Sequence, residues 1–231
     1  MTGTIVNAAA IGAGAVLGLL LKKGIPEELK TTVMQGIGLA VLLIGGQMAL
    51  KGTHMLVIII SLTLGAICGE LLKIELRLEQ VGLFIERLIG ANGGNIAHAF
   101  VTSSLIFCVG AMAVVGSIED GLNGNAGTLY AKAMLDGVSA ILFASTMGVG
   151  VLFSSLSVLV YQGIITMLAA SLKDVLNPFV ISQLTSIGGL LIIGIAVSIL
   201  GIKKINVGNL LPAILIVIPL AYYADKYSIL M

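Results

Sequence analysis

Long apolar segments alternate with short polar breaks along the chain, and eight of these segments have about the length of a membrane-spanning helix. A spanning helix needs about 20 predominantly apolar residues, within a range of about 17–25. The pattern therefore predicts an all-α, polytopic transmembrane helix bundle. Seven helices are the alternative, if residues 137–172 form one long tilted helix instead of two short ones that turn near Ser154-Ser155. The predicted segments are Thr4–Leu21, Thr32–Leu50, Met55–Leu72, about Ala99–Ile118, about Leu135–Phe153, Leu156–Leu172, about Ile181–Ile202 and Leu210–Ala224.

Residues 73–90 follow a different pattern, because apolar and charged positions alternate there at helical spacing. Ile74, Leu78 and Val81 recur three or four residues apart, and charged residues such as Arg77 and Glu86 lie among them. This arrangement predicts an amphipathic helix that lies at the membrane interface. The alternative is a charged extension of the third segment into water.

The composition supports the same class of protein. Hydrophobic residues make up 58% of the 231 positions and charged residues only 10%, with a mean hydropathy of +1.14. A soluble domain carries about 25% charged residues, so this chain has too little polar surface to face water. The expected partner is the lipid bilayer. A net charge of +1 gives no electrostatic basis for binding nucleic acid.

The sequence contains no recognised catalytic motif. It contains no P-loop, no HExxH, no CxxC and no nucleophile elbow. The two cysteines, Cys68 and Cys108, lie inside apolar segments without the spacing of a metal site. We therefore expect a protein that is not an enzyme and that holds neither a cofactor nor a metal.

The distribution of basic residues predicts the orientation. Lys and Arg are enriched in cytoplasmic loops. If the N-terminus is outside, eight of the twelve basic residues fall on the cytoplasmic side and four outside. The pattern therefore favours a multi-pass protein of the cytoplasmic membrane with both termini outside.

An internal repeat organises the predicted helices. Residues 110–116 match residues 12–18 at five of seven positions, and similar short matches follow at nearly the same offset. Three helices per copy would make the second copy enter the membrane in the opposite direction, as in many transporters. The alternative is a chance match between helices rich in Gly and Ala. The predicted organisation is one transmembrane domain, 1–231, with repeat 1 over about 4–72, the interfacial helix 73–90, repeat 2 over about 97–172 and a C-terminal hairpin 181–224.

Small residues recur at four-residue spacing on several predicted helices. Such stripes let helix backbones approach closely, so we expect them to pack helices together. A backbone-lined path through the protein is the alternative. The predicted packing residues are Ala10, Gly14, Gly18, Gly65, Gly69, Gly110 and Gly116.

Polar side chains inside apolar segments are the candidates for a solute or ion path, because each costs free energy in a membrane unless it is paired or hydrated. The hydroxyl pairs Ser103-Ser104 and Ser145-Thr146 are the expected centre of this path, although Ser and Thr can also bond to a carbonyl of their own helix. The candidate residues are Asn7, Gln35, Ser103, Ser104, Asp120, Asp136, Ser139, Ser145, Thr146 and Gln162.

Two of these candidates are acids with competing interpretations. Asp136 starts the fifth predicted segment, where the helix dipole would stabilise a carboxylate. It could instead pair with Lys132, four residues earlier, or bind a cation or proton at a pore mouth. Asp120 and its neighbour Glu119 follow the fourth predicted segment, where they are either solvated or attract a cation at the outer mouth.

Several passages resemble a known family. They are residues 100–122 (FVTSSLIFCVGAMAVVGSIEDGL), 132–151 (KAMLDGVSAILFASTMGVGV), 161–163 (YQG), 203–213 (KKINVGNLLPA) and the opening GTIVNAAAIGAGAVLG with its downstream MQGIGLAVLLIG. The chain is similar over essentially its whole length to the DUF554 family of bacterial and archaeal multi-pass inner-membrane proteins. The resemblance implies the membrane class and location, but neither a substrate nor a catalytic residue.

Two functional hypotheses follow from the sequence. The first is a transporter or channel for an unknown small solute or ion, with a path between the fourth and fifth segments and their counterparts, the first and second. Because short helices enclose little interior, we expect a homodimer. The second hypothesis is a non-transporting scaffold, sensor or assembly factor, which predicts a dry interior in which every polar side chain is hydrogen-bonded to protein.

Overall fold

The computed structural model describes residues 1–21, 27–77, 80, 96–108, 111–172 and 175–227. Within these residues the fold is all-α, without strands. The helices are α1 (Thr2–Leu21), α2 (Glu27–Ala49), α3 (Met55–Leu72), α4 (Ile96–Cys108), α5 (Ala111–Asn123), α6 (Gly127–Met147), α7 (Gly150–Met167), α8 (Ala169–Leu172), α9 (Pro178–Ile199), a 3₁₀ turn (Val207–Leu210) and α10 (Pro212–Tyr227).

Six helical stretches in the described part of the chain are long and apolar enough to cross a membrane. They are α1, residues 31–49 of α2, α3, α7, α9 and residues 207–226. The pair α4 and α5 adds a seventh if its two helices, which are bent by 59° relative to each other, form one broken span. The protein is therefore a helical membrane bundle with six or seven candidate spans. The hydropathy pattern predicted eight spans, or seven in the single-helix alternative.

Two predicted boundaries are wrong, those of the fourth segment and of the turn between the fifth and sixth segments. The fourth segment, predicted as one helix over about 99–118, is described as two helices bent by 59° relative to each other, α4 and α5, and α5 continues to Asn123. The fifth and sixth segments separate at Gly148 and Val149 instead of near Ser154-Ser155, because Gly148 has a φ of +91° and ends α6. A left-handed φ of this kind is adopted readily only by glycine. The single-helix alternative for residues 137–172 is excluded by the same break.

The start of α6 corrects the interpretation of Asp136. The helix begins at Gly127, so Asp136 lies nine residues inside it and far from the N-terminal end of the helix dipole. The dipole acts mainly within the first and last turns. It therefore does not account for a carboxylate at this position.

The described residues cluster into two compact units. Unit 1 comprises residues 1–34, 78–108 and 112–170, and unit 2 comprises residues 35–77, 109–111 and 171–231. The predicted interfacial helix over 73–90 lies mostly outside the described residues. The repeat of three and three helices remains a prediction.

Unit 1 is built around α1 and α6, which pack against each other along the length of α1. A Cβ added at Gly14 would overlap the carbonyl oxygen of Gly137, and one added at Gly18 would overlap that of Ile141. A Cβ added at Gly137 would lie 3.3 Å from the carbonyl oxygen of Ala10. The residue numbers increase together in both helices, so α1 and α6 run parallel. Backbone contact at this distance requires glycine, which explains the small-residue stripe on α1.

Unit 2 contains α3, α9 and α10, with the part of α2 that follows Met34. Gly65 and Gly69 of α3 lie against Ala213 and the carbonyl of Asn209, so small residues bring backbones together here too. The Asn209 side chain donates to Glu70 Oε2 at 2.6 Å and accepts from the Glu75 backbone at 2.8 Å. These bonds fix the 3₁₀ turn against the end of α3.

Candidate functional site

The buried face of α1 carries polar side chains in its first turns and small or apolar ones afterwards. Thr4 and Asn7 are fully buried, and Ile11 follows them one turn later on the same face. On α7 the corresponding buried face carries Val158, Gln162 and Thr166 at four-residue spacing. Residues three or four apart share one face of a helix, so each helix presents a short polar stripe to the interior of unit 1.

Four side chains from three helices meet where these stripes converge. Asp136 on α6 accepts from Lys132 Nζ at 2.7 Å and 3.0 Å, and from Asn7 Nδ2 at 3.1 Å. The same Asn7 nitrogen lies 3.3 Å from Gln162 Oε1. All four side chains are buried. We call Asn7, Lys132, Asp136 and Gln162 the polar core.

Further polar contacts lie between the polar core and one end of unit 1. The hydroxyls of Thr4 and Thr166 are 3.3 Å apart, one turn beyond Asn7 and Gln162. Nearer the start of α1, the backbone N–H of Gly3 donates to Asp120 Oδ2 at 3.1 Å. Polar groups thus extend from this end of unit 1 to the polar core, which lies roughly 8 Å along α1 from its first residue at 1.5 Å per residue.

Apolar side chains close the other side of the polar core. Ile11 and Val158 follow Asn7 and Gln162 by one turn in the direction away from the Thr4–Thr166 pair, and both are fully buried. α1 and α7 are antiparallel here, because Thr4 meets Thr166 while Asn7 meets Gln162. Along α1 and α7, the buried faces are therefore polar from this end of unit 1 to the polar core and apolar in the next turn, at Ile11 and Val158.

Two amide atoms of the polar core have no hydrogen-bond partner among the described residues. They are the carbonyl oxygen Oδ1 of Asn7 and the amino nitrogen Nε2 of Gln162. The Asp136 carboxylate accepts only, so it holds the amino group of Asn7 towards itself, and Gln162 must then present its oxygen to that group. The unpaired acceptor and donor are consequences of the charge on Asp136. Leaving a buried polar group unpaired costs about 1–3 kcal/mol each.

The structure places only part of the predicted path in this core. Asn7, Asp136 and Gln162 meet there, and Asp120 lies near the end of unit 1. Asp120 is buried, accepts from the Gly3 backbone N–H and pairs with the N-terminal ammonium group of Met1 at 3.0 Å, so the interpretation of a solvated acid is wrong. Its neighbour Glu119 accepts from Thr128 at 2.7 Å.

The predicted hydroxyl centre is not part of the core. Ser103, Ser145 and Thr146 donate to carbonyl groups of their own helices. Ser104 instead donates to Ser157 of α7 at 3.0 Å. The hydroxyls of Ser103, Ser145 and Thr146 are thus satisfied within their own helices, as is common for Ser and Thr. The neighbours of Asp136 are amides and an ammonium group rather than hydroxyls.

The remaining predicted path residues, Ser139 and Gln35, and the predicted packing residues Gly116 and Gly110 are not part of the polar core. Ser139 is half-buried on α6, three residues after Asp136, and Gln35 is exposed on the part of α2 that belongs to unit 2. Gly116 contacts Leu129 at the start of α6, whereas Gly110 lies outside the described residues. The site residues absent from the predicted path are Lys132, Thr4 and Thr166. The sequence patterns that could have indicated them are the spacing of Thr4 and Asn7, of Gln162 and Thr166, and of Lys132 and Asp136, because residues three or four apart share one helical face.

The chemistry of the core is that of hydrogen bonding and charge. Within the described parts of the chain, no group of three or more His, Cys, Asp or Glu side chains lies close enough to hold a metal. One carboxylate, one ammonium group and two amides can instead hold a small polar molecule or a monovalent ion.

Six or seven candidate spans, without strands among the described residues, define a multi-pass helical membrane protein. The chain belongs to the family described as "Protein of unknown function (DUF554)", which it matches over residues 2–222. The resemblance seen in the sequence is thereby confirmed.

Two relatives match almost the whole chain. The "Uncharacterized membrane protein YdfK" of Bacillus subtilis (strain 168) is 34% identical over 220 residues, covering 94% of this chain and 93% of the relative. The "Uncharacterized protein YqgA" of Escherichia coli (strain K12) is 30% identical over 224 residues, covering 95% of each. No solved structure gives a significant match.

Proposed function

We propose that this protein carries a small polar solute or an ion across the membrane, and that the polar core of unit 1 is its binding site. The observation that carries the proposal is the fully buried Asn7–Gln162 pair, whose unpaired oxygen and nitrogen lie beside the Lys132–Asp136 ion pair. Ionisable and amide groups at membrane depth are expensive, and in membrane proteins they commonly mark substrate or ion pathways.

The distribution of polar groups supports a site that opens to one side at a time. The Thr4–Thr166 pair and Asp120 continue the polar stripe towards one end, while Ile11 and Val158 close the other side. In an alternating-access transporter, a fixed site is exposed to one aqueous phase while packed side chains separate it from the other. A site with polar groups on one side and packed apolar side chains on the other would suit this mechanism.

A scaffold or sensor fits the same observations less well. A purely structural interior has its polar groups paired with protein. The described residues contain four buried side-chain atoms without a partner, and two of them belong to the polar core. A few such atoms are usual in native proteins, but the two in the polar core belong to neighbouring side chains beside an ion pair, which favours a binding role.

Liposome flux tests the proposal. Purified protein is reconstituted and assayed with radiolabelled sodium, rubidium, chloride, glycerol and alanine, and an internal pH dye reports protons. We expect at least one probe to cross faster than in protein-free liposomes. Gln162→Ala should slow that probe by about tenfold, because it removes a hydrogen-bonding group from the site. The matched control is Gln47→Ala, an exposed amide on α2 of unit 2, which should keep the wild-type rate.

Two outcomes would contradict the proposal. One is that no probe crosses faster with the protein than without it. The other is that Gln162→Ala transports as fast as Gln47→Ala, although both variants elute as folded protein on size-exclusion chromatography.

A further inference from the structure

The two unpaired atoms of the polar core are the opposite halves of a primary amide. Asn7 Oδ1 is a carbonyl oxygen that can accept two hydrogen bonds, and Gln162 Nε2 is an amino group that can donate two. Both side chains are fully buried, and neither atom has a partner among the described residues. The two amides are joined through their other atoms, because Asn7 Nδ2 lies 3.3 Å from Gln162 Oε1. The core therefore presents one free acceptor and one free donor on neighbouring side chains.

The charged groups of the core leave no net charge for an ion to balance. Both oxygens of the Asp136 carboxylate accept from Lys132 Nζ, at 3.0 Å and 2.7 Å, and Oδ2 also accepts from Asn7. The helices that carry the two amides, α1 and α7, contain no charged side chain. Because the ion pair is neutral overall, an added cation or anion would leave an uncompensated charge in the interior, which is costly. The molecule that suits this site is therefore neutral.

Gly163, the next residue after Gln162 on α7, is buried but loosely packed. Apart from its chain neighbours, a Cβ added there would meet one atom within 4 Å among the described residues, Met1 Cε at 3.8 Å. A Cβ at Gly150, which is also buried on α7, would instead overlap the carbonyl oxygen of Ile96. At least the volume of a methyl group is thus free beside Gln162, on the side of Met1, where the polar stripe begins.

We propose that the polar core binds a small neutral molecule that carries a hydrogen-bond donor and an acceptor side by side, namely urea or a short primary carboxamide. An N–H of the ligand donates to Asn7 Oδ1, and its carbonyl oxygen accepts from Gln162 Nε2. A primary amide group is the complement of the two free atoms, since it has both an amino group and a carbonyl oxygen. This inference rests on the proposed transport function and names its substrate class.

Three analogues of urea separate the requirements of such a site. Guanidinium has nearly the shape of urea, but it is positively charged and has donors only, so it leaves Gln162 Nε2 unpaired. Tetramethylurea keeps the carbonyl oxygen but has no N–H for Asn7 Oδ1. Acetamide keeps both groups. The proposed site should therefore accept urea and acetamide and reject the other two molecules.

Uptake into liposomes measures this selectivity. Purified full-length protein is reconstituted, and the entry of radiolabelled urea or guanidinium is followed at zero membrane potential, with protein-free liposomes as the background. We expect the protein to accelerate urea uptake at least about tenfold more than guanidinium uptake, because a site that hydrogen-bonds its ligand rejects analogues that lack the matching group. Excess unlabelled acetamide should inhibit urea uptake, and the same concentration of tetramethylurea should not.

Two variants of Gln162 locate the selectivity in the polar core. Gln162→Met has a similar length but no hydrogen-bonding group, so it should lower urea uptake by about tenfold. Gln162→Glu replaces the free amino group with an oxygen and adds a negative charge, so guanidinium uptake should rise above urea uptake. The matched control Gln47→Glu, at an exposed amide on α2 of unit 2, should keep the preference for urea. Loss of structure would lower both uptakes without reversing their order.

Three results would overturn the inference. They are equal uptake of urea and guanidinium by the wild type, inhibition by tetramethylurea as strong as that by acetamide, and an unchanged preference for urea in folded Gln162→Glu. If urea uptake stays at the background rate while sodium, rubidium, chloride, glycerol, alanine or protons cross through the protein, the substrate class fails and the proposed transport function stands. If no probe crosses, both fail.

Discussion

Replacing Asp136 with alanine is expected to lower the free energy of unfolding by about 3–5 kcal/mol. The change leaves the Lys132 ammonium group buried without the carboxylate that now lies 2.7 Å from it. It also removes the acceptor for Asn7 Nδ2. An uncompensated buried charge costs far more than the net contribution of the intact pair, because the pair gains little over its own desolvation. Unfolding by SDS in mixed micelles, followed by far-UV circular dichroism, measures the change.

Two variants accompany this measurement. The double variant Lys132→Met with Asp136→Leu removes both charges, so it should recover most of the lost stability. The exposed Asp225→Ala, which removes one exposed hydrogen bond from Asn177, should lower the free energy of unfolding by about 1 kcal/mol or less. If Asp136→Ala were as stable as Asp225→Ala, Lys132 and Asp136 would not form a buried pair in the membrane protein.

The second large effect is expected at the contact between α1 and α6. Gly14→Leu should lower the free energy of unfolding by about 3 kcal/mol or more, since overpacking a tight contact forces the backbone to shift. A Cβ at Gly14 would already overlap the Gly137 carbonyl oxygen, and the rest of a leucine side chain has no room between the helices. The same SDS titration measures the loss.

Gly12 provides the matched control on the same helix. A Cβ added there meets nothing within 4 Å among the described residues, so Gly12→Leu should leave stability nearly unchanged. Equal stability of Gly14→Leu and Gly12→Leu would contradict the parallel packing of α1 against α6.

The membrane class could be predicted from the sequence because it depends on bulk composition and segment length. The stripe of small residues on α1 could also be found, since four-residue spacing of Gly and Ala has a direct geometric meaning on a helix. The start of α6 could not be predicted from the sequence. The predicted apolar segment begins after Lys132, so it excludes the first turns of α6. Lys132 and Asp136 neutralise each other one turn apart, and the helix therefore tolerates both charges.

The polar core could not be predicted from the sequence either, for a different reason. Asn7 and Gln162 were recognised as polar residues in apolar segments, but they are 155 positions apart, and nothing in a single sequence pairs them. The adjacent hydroxyls of Ser103-Ser104 and Ser145-Thr146 were the more prominent polar groups in the sequence and were therefore predicted as the centre of the path. Whether a hydroxyl bonds to its own helix or to a neighbour depends on helix rotation, which the apolar pattern alone does not determine.

The accessibility of the polar stripe to water tests the central claim most directly. Both native cysteines are first removed by Cys68→Ala and Cys108→Ala. A single cysteine is then introduced by Thr166→Cys. The matched control is Val158→Cys, on the same buried face of α7. Membrane vesicles are treated with a small water-soluble methanethiosulfonate, and the remaining thiols are counted after unfolding. The account predicts complete modification of the cysteine at 166 and none at 158. If the cysteine at 166 stays as unreactive as that at 158, the interior of unit 1 is dry, and the polar core is not a path for a solute or ion.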